Sequence, residues 1–291
     1  MIAGGTGFVG KYLTEQFRNS GYEVILISRQ AQGLRWSDTK GIIRALENSD
    51  MLINLAGKSV NCRYNQKNRE EILKSRTVTT RQLGEAMLKC KNPPELWINA
   101  SAATIYRNAE DRPMTESTGE TGKGFSAEVA AAWEEVFFSF RLRAVRQVAL
   151  RITIVLGKEG GVVKPFVKLV RFGLGGKQGS GKQMFSWIHM EDLFGIILFL
   201  QSRKELNGAF NCCSPHPVDN ATLMRTLRQT MHMKFGLPSP AWLLKIGARI
   251  IRTEPELVLN SRWVIPERLL EAGYIFRYPV IDGALKNILR G

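Results

Sequence analysis

The stretch Gly4-Gly5-Thr6-Gly7-Phe8-Val9-Gly10 lies near the start of the chain, between a short apolar segment (residues 1–3) and a segment with helical spacing (residues 11–19). Its glycines at 4, 7 and 10 have the spacing GxxGxxG, which lets the backbone turn sharply and approach another group closely. The first turn of the next helix offers free N–H groups, which bind phosphate well. A strand-like run (residues 22–28) follows at the distance that a dinucleotide site requires. We therefore expect this turn to bind the diphosphate of a dinucleotide, with a purely structural turn as the alternative.

The end of the second predicted strand bears on which dinucleotide binds. Proteins that bind NAD usually have an acidic residue there, which holds the ribose 2′-hydroxyl. This chain has Ser28-Arg29-Gln30 instead. The Arg29 guanidinium would pair with a 2′-phosphate, and Ser28 would add a hydrogen bond. A solvated arginine at a strand end is the alternative, but we favour NADP(H) as the cofactor.

The rest of the first half alternates strand and helix patterns. Predicted helices cover residues 38–48, 66–91 and 127–143, and predicted strands cover residues 51–54, 96–100 and 145–154. Strands that alternate with helices indicate a parallel sheet covered on both faces. We expect an α/β protein, a doubly wound parallel-sheet Rossmann fold.

After residue 156 the sequence becomes rich in glycine and in proline-bounded segments, which suggests a smaller C-terminal substrate lobe. Residues 1–160 are expected to form the NADP(H)-binding Rossmann domain, to which residues 186–212 return. Residues 161–185 and 213–291 are expected to form the substrate-binding lobe. Within it, Lys177 and Lys182 of a glycine-rich loop would either meet an anionic substrate or simply be solvated.

Charge and cysteine content narrow the functional class. The 291 residues include 41 Lys and Arg and 26 Asp and Glu, a net charge of +15, but the charges are scattered. We therefore expect a generally basic surface rather than a nucleic acid or membrane partner. The expected partner is a small-molecule substrate, and an anionic substrate is one option. No apolar run reaches the roughly 18 residues needed to cross a bilayer. Four cysteines without a CxxC pair, and three histidines far apart in sequence, predict no metal site and a cytoplasmic location.

Motifs spread over nearly the whole chain resemble the atypical and extended short-chain dehydrogenase/reductases. The closest resemblance is to their epimerase-family proteins, which look like nucleotide-sugar epimerases. The motifs, besides the glycine turn, are Asn54-Leu55-Ala56-Gly57, Ser75-Arg76, Trp133-Glu134, Arg151 with Gly157, a Gly-rich stretch at 175–183, residues 186–193, and Gly273-Tyr274-Ile275-Phe276.

This resemblance implies a set of cofactor contacts. Leu55, Ala56 and Gly57 would line the adenosine side, and the backbone at Ala100-Ser101 would run beside the nicotinamide ribose. Arg76 would lie near the cofactor cleft, as a candidate for holding phosphate or a substrate carboxylate. Pairing on the helix surface is the alternative for Arg76.

The same resemblance implies a Ser-Tyr-Lys catalytic triad, which this sequence lacks. Matching Glu134 to the acid that usually follows the lysine places Ala130 at the lysine position and Ser126 at the tyrosine position, and Ala102 falls at the serine position. Alanine has no charge to lower a neighbouring pKa, and a serine hydroxyl is too weak an acid to replace tyrosine.

Substitutes for the triad are Tyr106 and Ser101 as the leading catalytic candidates, followed by Lys164, His189 and Glu116. Each has a structural alternative: Tyr106 as a packed aromatic with its hydroxyl satisfied, and His189 as a helix cap. Two functions therefore stay open. One is an NADP(H)-dependent oxidoreductase or epimerase of a small or nucleotide-linked substrate, and the other is a non-catalytic NADP(H)-binding sensor or assembly factor.

Overall fold

A computed structural model describes residues 1–29, 33–240 and 260–290. Its strands are β1 (Ile2–Ala3), β2 (Leu26–Ser28), β3 (Leu34–Arg35), β4 (Met51–Asn54), β5 (Leu96–Ala102), β6 (Arg146–Ile152), β7 (Ile154–Leu156), β8 (Met184–Phe185), β9 (Trp187–His189), β10 (Gly208–Cys212) and β11 (Val218–Asp219). Its helices are α1 (Phe8–Asn19), α2 (Thr39–Leu46), α3 (Gln66–Met87), α4 (Phe125–Phe138), α5 (Val163–Arg171), α6 (Met190–Ser202), α7 (Asn220–Thr230), α8 (Glu267–Glu271) and α9 (Ile281–Arg290).

Seven strands form one parallel sheet in the order β3-β2-β1-β4-β5-β6-β10. The strand order reverses at β1, which pairs with β2 on one side and with β4 on the other. In such sheets ligands bind at the carboxyl ends of the strands, beside the point of reversal. The glycine turn lies directly after β1, so the sequence prediction of a doubly wound parallel sheet is confirmed.

Both faces of this sheet are covered, as the alternating pattern predicted. Along β5, Leu96 and Ile98 are buried in one hydrophobic cluster and Trp97 is buried in another, because successive strand residues point to opposite faces. The first cluster contains residues of α1 and α6, and the second contains residues of α2, α3 and α4. The core members that show this division are Leu13, Phe17, Leu193 and Ile196 on the first face, and Ile42, Leu46, Leu83 and Phe137 on the second.

Several predicted boundaries differ from the observed ones. The predicted strand at 22–28 is assigned only from Leu26, and the helix predicted to reach residue 143 ends at Phe138. The strand predicted at 145–154 divides at Thr153, whose N–H and hydroxyl both donate to the Cys212 carbonyl oxygen. Beyond that residue β7 leaves the central sheet and pairs with β9. The short strand β3 was not predicted, since a two-residue strand carries almost no periodic signal.

A third hydrophobic cluster lies apart from the two that cover the sheet. It joins β8 and β9 to α5, α7 and α9, with Trp187, Leu223 and Leu285 among its buried members. This cluster is formed by elements from the second half of the chain, as expected of a smaller lobe. The division of the chain at residues 160, 186 and 212 stays a prediction. Every helix within residues 1–29, 33–240 and 260–290 is too short or too polar to span a membrane.

Candidate functional site

The glycine turn is packed backbone against backbone. Gly4 has φ +80°, and a Cβ there would lie 2.8 Å from the Leu55 carbonyl carbon. A Cβ on Gly10 would overlap the Gly4 carbonyl oxygen and come within 2.7 Å of the Gly5 Cα. These close approaches explain why glycine is required at both positions.

Helix α1 begins at this turn with its first amides available. Gly7 is the N-cap and gives no side-chain cap, and the first turn contains no acidic residue. The amides of Phe8 and Val9 therefore lie at the positive end of the helix dipole with no protein anion to receive them within α1. This is the arrangement that suits a diphosphate.

Positive side chains gather near the carboxyl ends of β2 and β4. Arg29 is exposed at the end of β2, and Lys58 follows the turn after β4. The Lys58 Nζ donates to Glu71 and, at 2.6 Å, to Asn68 Oδ1. The pKa of Glu71 is lowered by its hydrogen bond and charge interaction with Lys58, and further by the charges of Lys67 and Arg29. The charges of Lys58, Lys67 and Arg29 thus all act on the Glu71 carboxylate.

Lys58 and Lys67 were not among the residues predicted from the sequence. Lys58 directly follows Gly57, so its proximity to the motif was the available signal. Lys67 belongs to the first turn of α3, and the fold brings Arg29 close enough for both charges to act on Glu71 of that helix.

The turn after β4 is held by a buried amide. Asn54 Nδ2 donates to Asn99 Oδ1 at 2.7 Å and to Thr80 Oγ1 at 3.0 Å, while its Oδ1 accepts the Ala56 N–H at 3.0 Å. This network places Leu55 and Ala56 against Gly4. The structure therefore brings the two predicted cofactor segments, after β1 and after β4, into contact.

A cavity of about 130 Å³ lies between α3, α4 and the end of β5. Its lining includes Ala102, Ser126 and Ala130, the three positions at which the family resemblance implies serine, tyrosine and lysine. Thr104 and Arg76 line the same cavity. The three triad positions thus line one cavity, but the side chains that occupy them offer no proton donor of the usual kind.

The two leading catalytic candidates lie elsewhere, in a buried hydrogen-bond network. The Tyr106 hydroxyl donates to Asn211 Oδ1 at 2.9 Å and accepts from Arg151 Nη1 at 2.7 Å. Ser101 Oγ donates to Glu134 Oε1 at 2.6 Å. Arg151 joins the two, because its Nε and Nη2 donate to the Glu134 carboxylate at 2.9 and 2.8 Å.

These contacts favour a structural role for Tyr106 and Ser101. Tyr106 is 3% exposed and Ser101 is 4% exposed, and neither lines the cavity that holds Ser126 and Ala130. Burial raises the pKa of Tyr106, although Arg151 opposes the shift. Both hydroxyls are thus engaged by protein partners. Catalysis by Tyr106 and Ser101 stays a prediction that these contacts do not favour.

The further candidates are also accounted for by structure. His189 is the N-cap of α6, and its Nδ1 accepts the Glu191 N–H at 3.2 Å, so the capping prediction is confirmed. Glu116 Oε1 accepts the Asn211 N–H at 2.8 Å, and burial raises the Glu116 pKa. Lys164 is exposed on α5.

The glycine-rich loop at 173–182 is anchored rather than loose. Its Gln178 is 1% exposed, and the Gln178 N–H donates to Asn220 Oδ1 at 2.8 Å. Lys177 and Lys182 are exposed. No contact among the described residues indicates a ligand at either lysine, so we interpret both as solvated surface residues.

A larger cavity of about 840 Å³ lies on the other side of the glycine turn, between α1, α6 and α9. It includes Thr6 and Phe8 of the turn, but none of the triad positions. The described residues contain no group of three or more His, Cys, Asp or Glu side chains suited to a metal ion.

Comparison with known proteins places this site in a family. Residues 1–213 match the NAD-dependent epimerase/dehydratase family, and residues 239–288 match a domain of unknown function, DUF1731. The chain belongs to the NAD-dependent epimerase/dehydratase family. The predicted resemblance to epimerase-family proteins is confirmed.

Relatives of this epimerase/dehydratase-family chain match it over almost its whole length. It is 31% identical to the human epimerase family protein SDR39U1 over an alignment of 294 positions that covers 99% of each chain. It is 29% identical to the epimerase family protein YfhF of Bacillus subtilis strain 168, over 99% of this chain and 97% of that one.

Solved structures agree with this assignment. The human SDR39U1 isoform 2, crystallised with NADPH, superposes with a TM-score of 0.89 at 30% identity, over 99% of this chain and 97% of that one. UDP-N-acetylglucosamine 4-epimerase from Bacillus cereus superposes with a TM-score of 0.78 at 19% identity, which shows a shared fold.

Proposed function

We propose that this epimerase/dehydratase-family protein binds NADP(H) at the carboxyl edge of its central sheet. On this proposal it acts as an NADP(H)-dependent oxidoreductase or epimerase on a small or nucleotide-linked substrate. The observations that carry the cofactor assignment are the exposed Arg29 directly after β2 and the first turn of α1, which contains no acidic residue and no side-chain cap. A 2′-phosphate is the group of NADP(H) that NAD(H) lacks, and it would be attracted to the Arg29 guanidinium. The NADPH-bound human relative supports the same assignment.

The chain's own groups would hold the cofactor in three places. The amides of Phe8 and Val9 at the start of α1 would receive the diphosphate. Leu55 and Ala56 would line the adenosine side, and Arg29 with Lys58 would meet the 2′-phosphate. NADP(H) itself supplies a hydride at nicotinamide C4.

The free cysteines bear on where in the cell the protein would act. The four cysteines are unpaired, and Cys212 and Cys213 are buried. Free thiols are typical of a reducing compartment, so we place the protein in the cytoplasm.

One observation favours a second candidate function. The cavity at the triad positions holds Ala102, Ser126 and Ala130, and Tyr106 lies outside it with its hydroxyl engaged. A protein without the tyrosine and lysine of the triad beside its nicotinamide would bind NADP(H) as a sensor or assembly factor rather than as an enzyme.

The cofactor proposal is tested by calorimetric titration with NADPH and NADH. Replacing Arg29 with Gln should weaken NADPH binding by about tenfold or more, because a charge-assisted contact to the 2′-phosphate is lost. NADH affinity should change little. Arg18→Gln, at an exposed position on α1, is the matched control and should leave both affinities unchanged. Equal losses for both dinucleotides would contradict the placement of Arg29, and a wild-type protein that binds neither would refute the cofactor proposal.

Turnover separates the two candidate functions. NADPH oxidation should be followed with a panel of carbonyl compounds and nucleotide sugars, alongside NADPH binding. Protein-dependent oxidation with any member of the panel supports the enzyme. Tight binding without oxidation on every member supports the sensor or assembly factor.

A further inference from the structure

The cavity at the triad positions contains one unusual cation. Arg76 projects from α3 and lines this cavity together with Ala102, Thr104 and Ser126. Among the described residues that line it, Arg76 alone is charged. An arginine in such a place is normally paired with a carboxylate, because a desolvated charge is costly without a partner.

Arg76 has no carboxylate partner within the described ranges. Its Nη1 donates to the Lys58 carbonyl oxygen at 3.1 Å and to the Ile72 carbonyl oxygen at 3.0 Å. Its Cζ lies 5.1 Å from the centre of the Trp133 ring. No described residue accepts a hydrogen bond from Nε or Nη2. That edge of the guanidinium is the one that binds a carboxylate through two parallel hydrogen bonds.

The surroundings fix Arg76 in place. Trp133 Nε1 donates to Thr80 Oγ1 at 2.8 Å, which holds the ring against which the guanidinium packs. A Cβ on Gly57 would lie 3.2 Å from the Arg76 Cζ, so the backbone after β4 lies directly against the charge. Burial lowers the Arg76 pKa to about 10, so the side chain stays cationic near neutral pH. A cation held rigidly before a ligand arrives loses little entropy on binding one.

The size of the cavity bears on what group can enter. Its volume is about 130 Å³, and on the same measure a cavity needs only about 10–15 Å³ to hold one water. A carboxylate with one or two carbons fits this space. The diphosphate and the 2′-phosphate have candidate positions elsewhere, at the amides of Phe8 and Val9 and at Arg29.

We propose that Arg76 binds a carboxylate of the small-molecule substrate in this cavity, through its Nε and Nη2 edge. Ala130, which occupies the lysine position on α4, lines the same cavity. The cation in this cavity is therefore Arg76 of α3 and not a lysine of α4. The substrate class that follows is a small carboxylic acid, or a molecule that carries a short carboxylate arm. That the ligand is a substrate rests on the NADP(H)-dependent function proposed above.

Acetate is the smallest probe of this site. Binding of ¹³C-labelled acetate should be followed by NMR line broadening, with and without saturating NADPH, in low-chloride buffer. Arg76→Gln should weaken acetate binding by about tenfold or more, since a charge-assisted bidentate contact is lost. Arg81→Gln is the matched control, because Arg81 lies on the same helix at an exposed position. It should bind acetate as the wild type does.

A second variant guards against a folding defect. Arg76→Lys keeps the charge but loses the two-pronged geometry, so it should bind acetate with intermediate affinity. NADPH affinity should stay within about twofold in all three variants, because Arg76 is placed on the substrate and not on the cofactor.

Three results would overturn the inference. They are a wild-type protein that binds no acetate, an Arg76→Gln variant that binds it normally, and an Arg76→Gln variant that loses NADPH affinity by the same factor as acetate affinity. The last result would make Arg76 a cofactor ligand. Acetate binding that depends on Arg76 in a protein that fails to bind NADPH would instead refute the proposed cofactor function and leave the carboxylate site standing.

Discussion

Tyr106 lies where its hydroxyl links two strands of the central sheet. It donates to Asn211 on β10 and accepts from Arg151 on β6, and Arg151 in turn pairs with Glu134 on α4. The Arg151 and Glu134 side chains are 16% and 10% exposed, so each needs its partner to offset the cost of burial. The hydrogen bonds and the ion pair of this network therefore stabilise the central sheet.

Removing the Tyr106 hydroxyl tests this interpretation. Tyr106→Phe leaves an Arg151 donor and the Asn211 oxygen without a partner, which should lower the free energy of unfolding by about 1–3 kcal/mol. NADPH affinity should not change. Urea denaturation measures the effect, with Tyr22→Phe as the control, because Tyr22 lies at the surface. Unchanged stability together with lost turnover would restore Tyr106 as a proton carrier.

A methyl group at the glycine turn should separate cofactor binding from general stability. In Gly10→Ala the new Cβ meets backbone atoms of Gly4 and Gly5, which cannot move without opening the turn, so NADPH affinity should fall by about tenfold or more. Gly283→Ala is the control, because nothing lies within 4 Å of a Cβ there. That variant should gain about 0.5–1 kcal/mol of stability, since alanine favours the α9 helix. A Gly10→Ala protein that binds NADPH normally would contradict the packing described for the turn.

Among the helices, α6 begins at a buried histidine that caps it only while neutral. His189 Nδ1 must accept the Glu191 N–H, and a protonated ring has no lone pair there. Burial is the main cause that lowers the His189 pKa from 6.5 to about 4, and the charges of Arg277 and Lys158 add to it. The start of α6 is therefore sensitive to pH.

The sign of this effect follows from proton uptake. Between pH 6.5 and about 4 the unfolded chain binds a proton at His189 and the folded chain does not, so stability falls as the pH falls. The loss should reach at most about 3 kcal/mol by pH 4. His189→Asn, which caps without titrating, should flatten the pH dependence of urea unfolding over this window. His216→Asn, at an exposed position, should leave it as steep as in the wild type, and an equally steep curve for His189→Asn would contradict the prediction.

At the scale of the whole molecule, the net charge of +15 should speed the arrival of an anionic cofactor. The NADPH association rate, measured by stopped flow, should fall as salt is raised to about 0.3 M, because the charges become screened. NADH carries one phosphate group fewer, so its rate should depend less on salt. Equal salt dependence for the two dinucleotides would contradict electrostatic attraction of the 2′-phosphate.

Local patterns in the sequence determined the glycine turn, the alternation of strands and helices and hence the doubly wound sheet, and the absence of tyrosine and lysine at the triad positions. Each depends on residues close together in the chain, where spacing reflects backbone geometry directly. Only the tertiary structure decided which polar side chains meet. The bonds from Ser101 to Glu134 and from Tyr106 to Asn211 join residues 33 and 105 positions apart, and Arg76 meets the cavity through the packing of α3 on α4. A buried polar group needs a hydrogen-bond partner, and the tertiary fold determines which group lies near enough to be that partner. Because the two groups are far apart in the chain, the spacing of residues in the sequence does not predict the pairing.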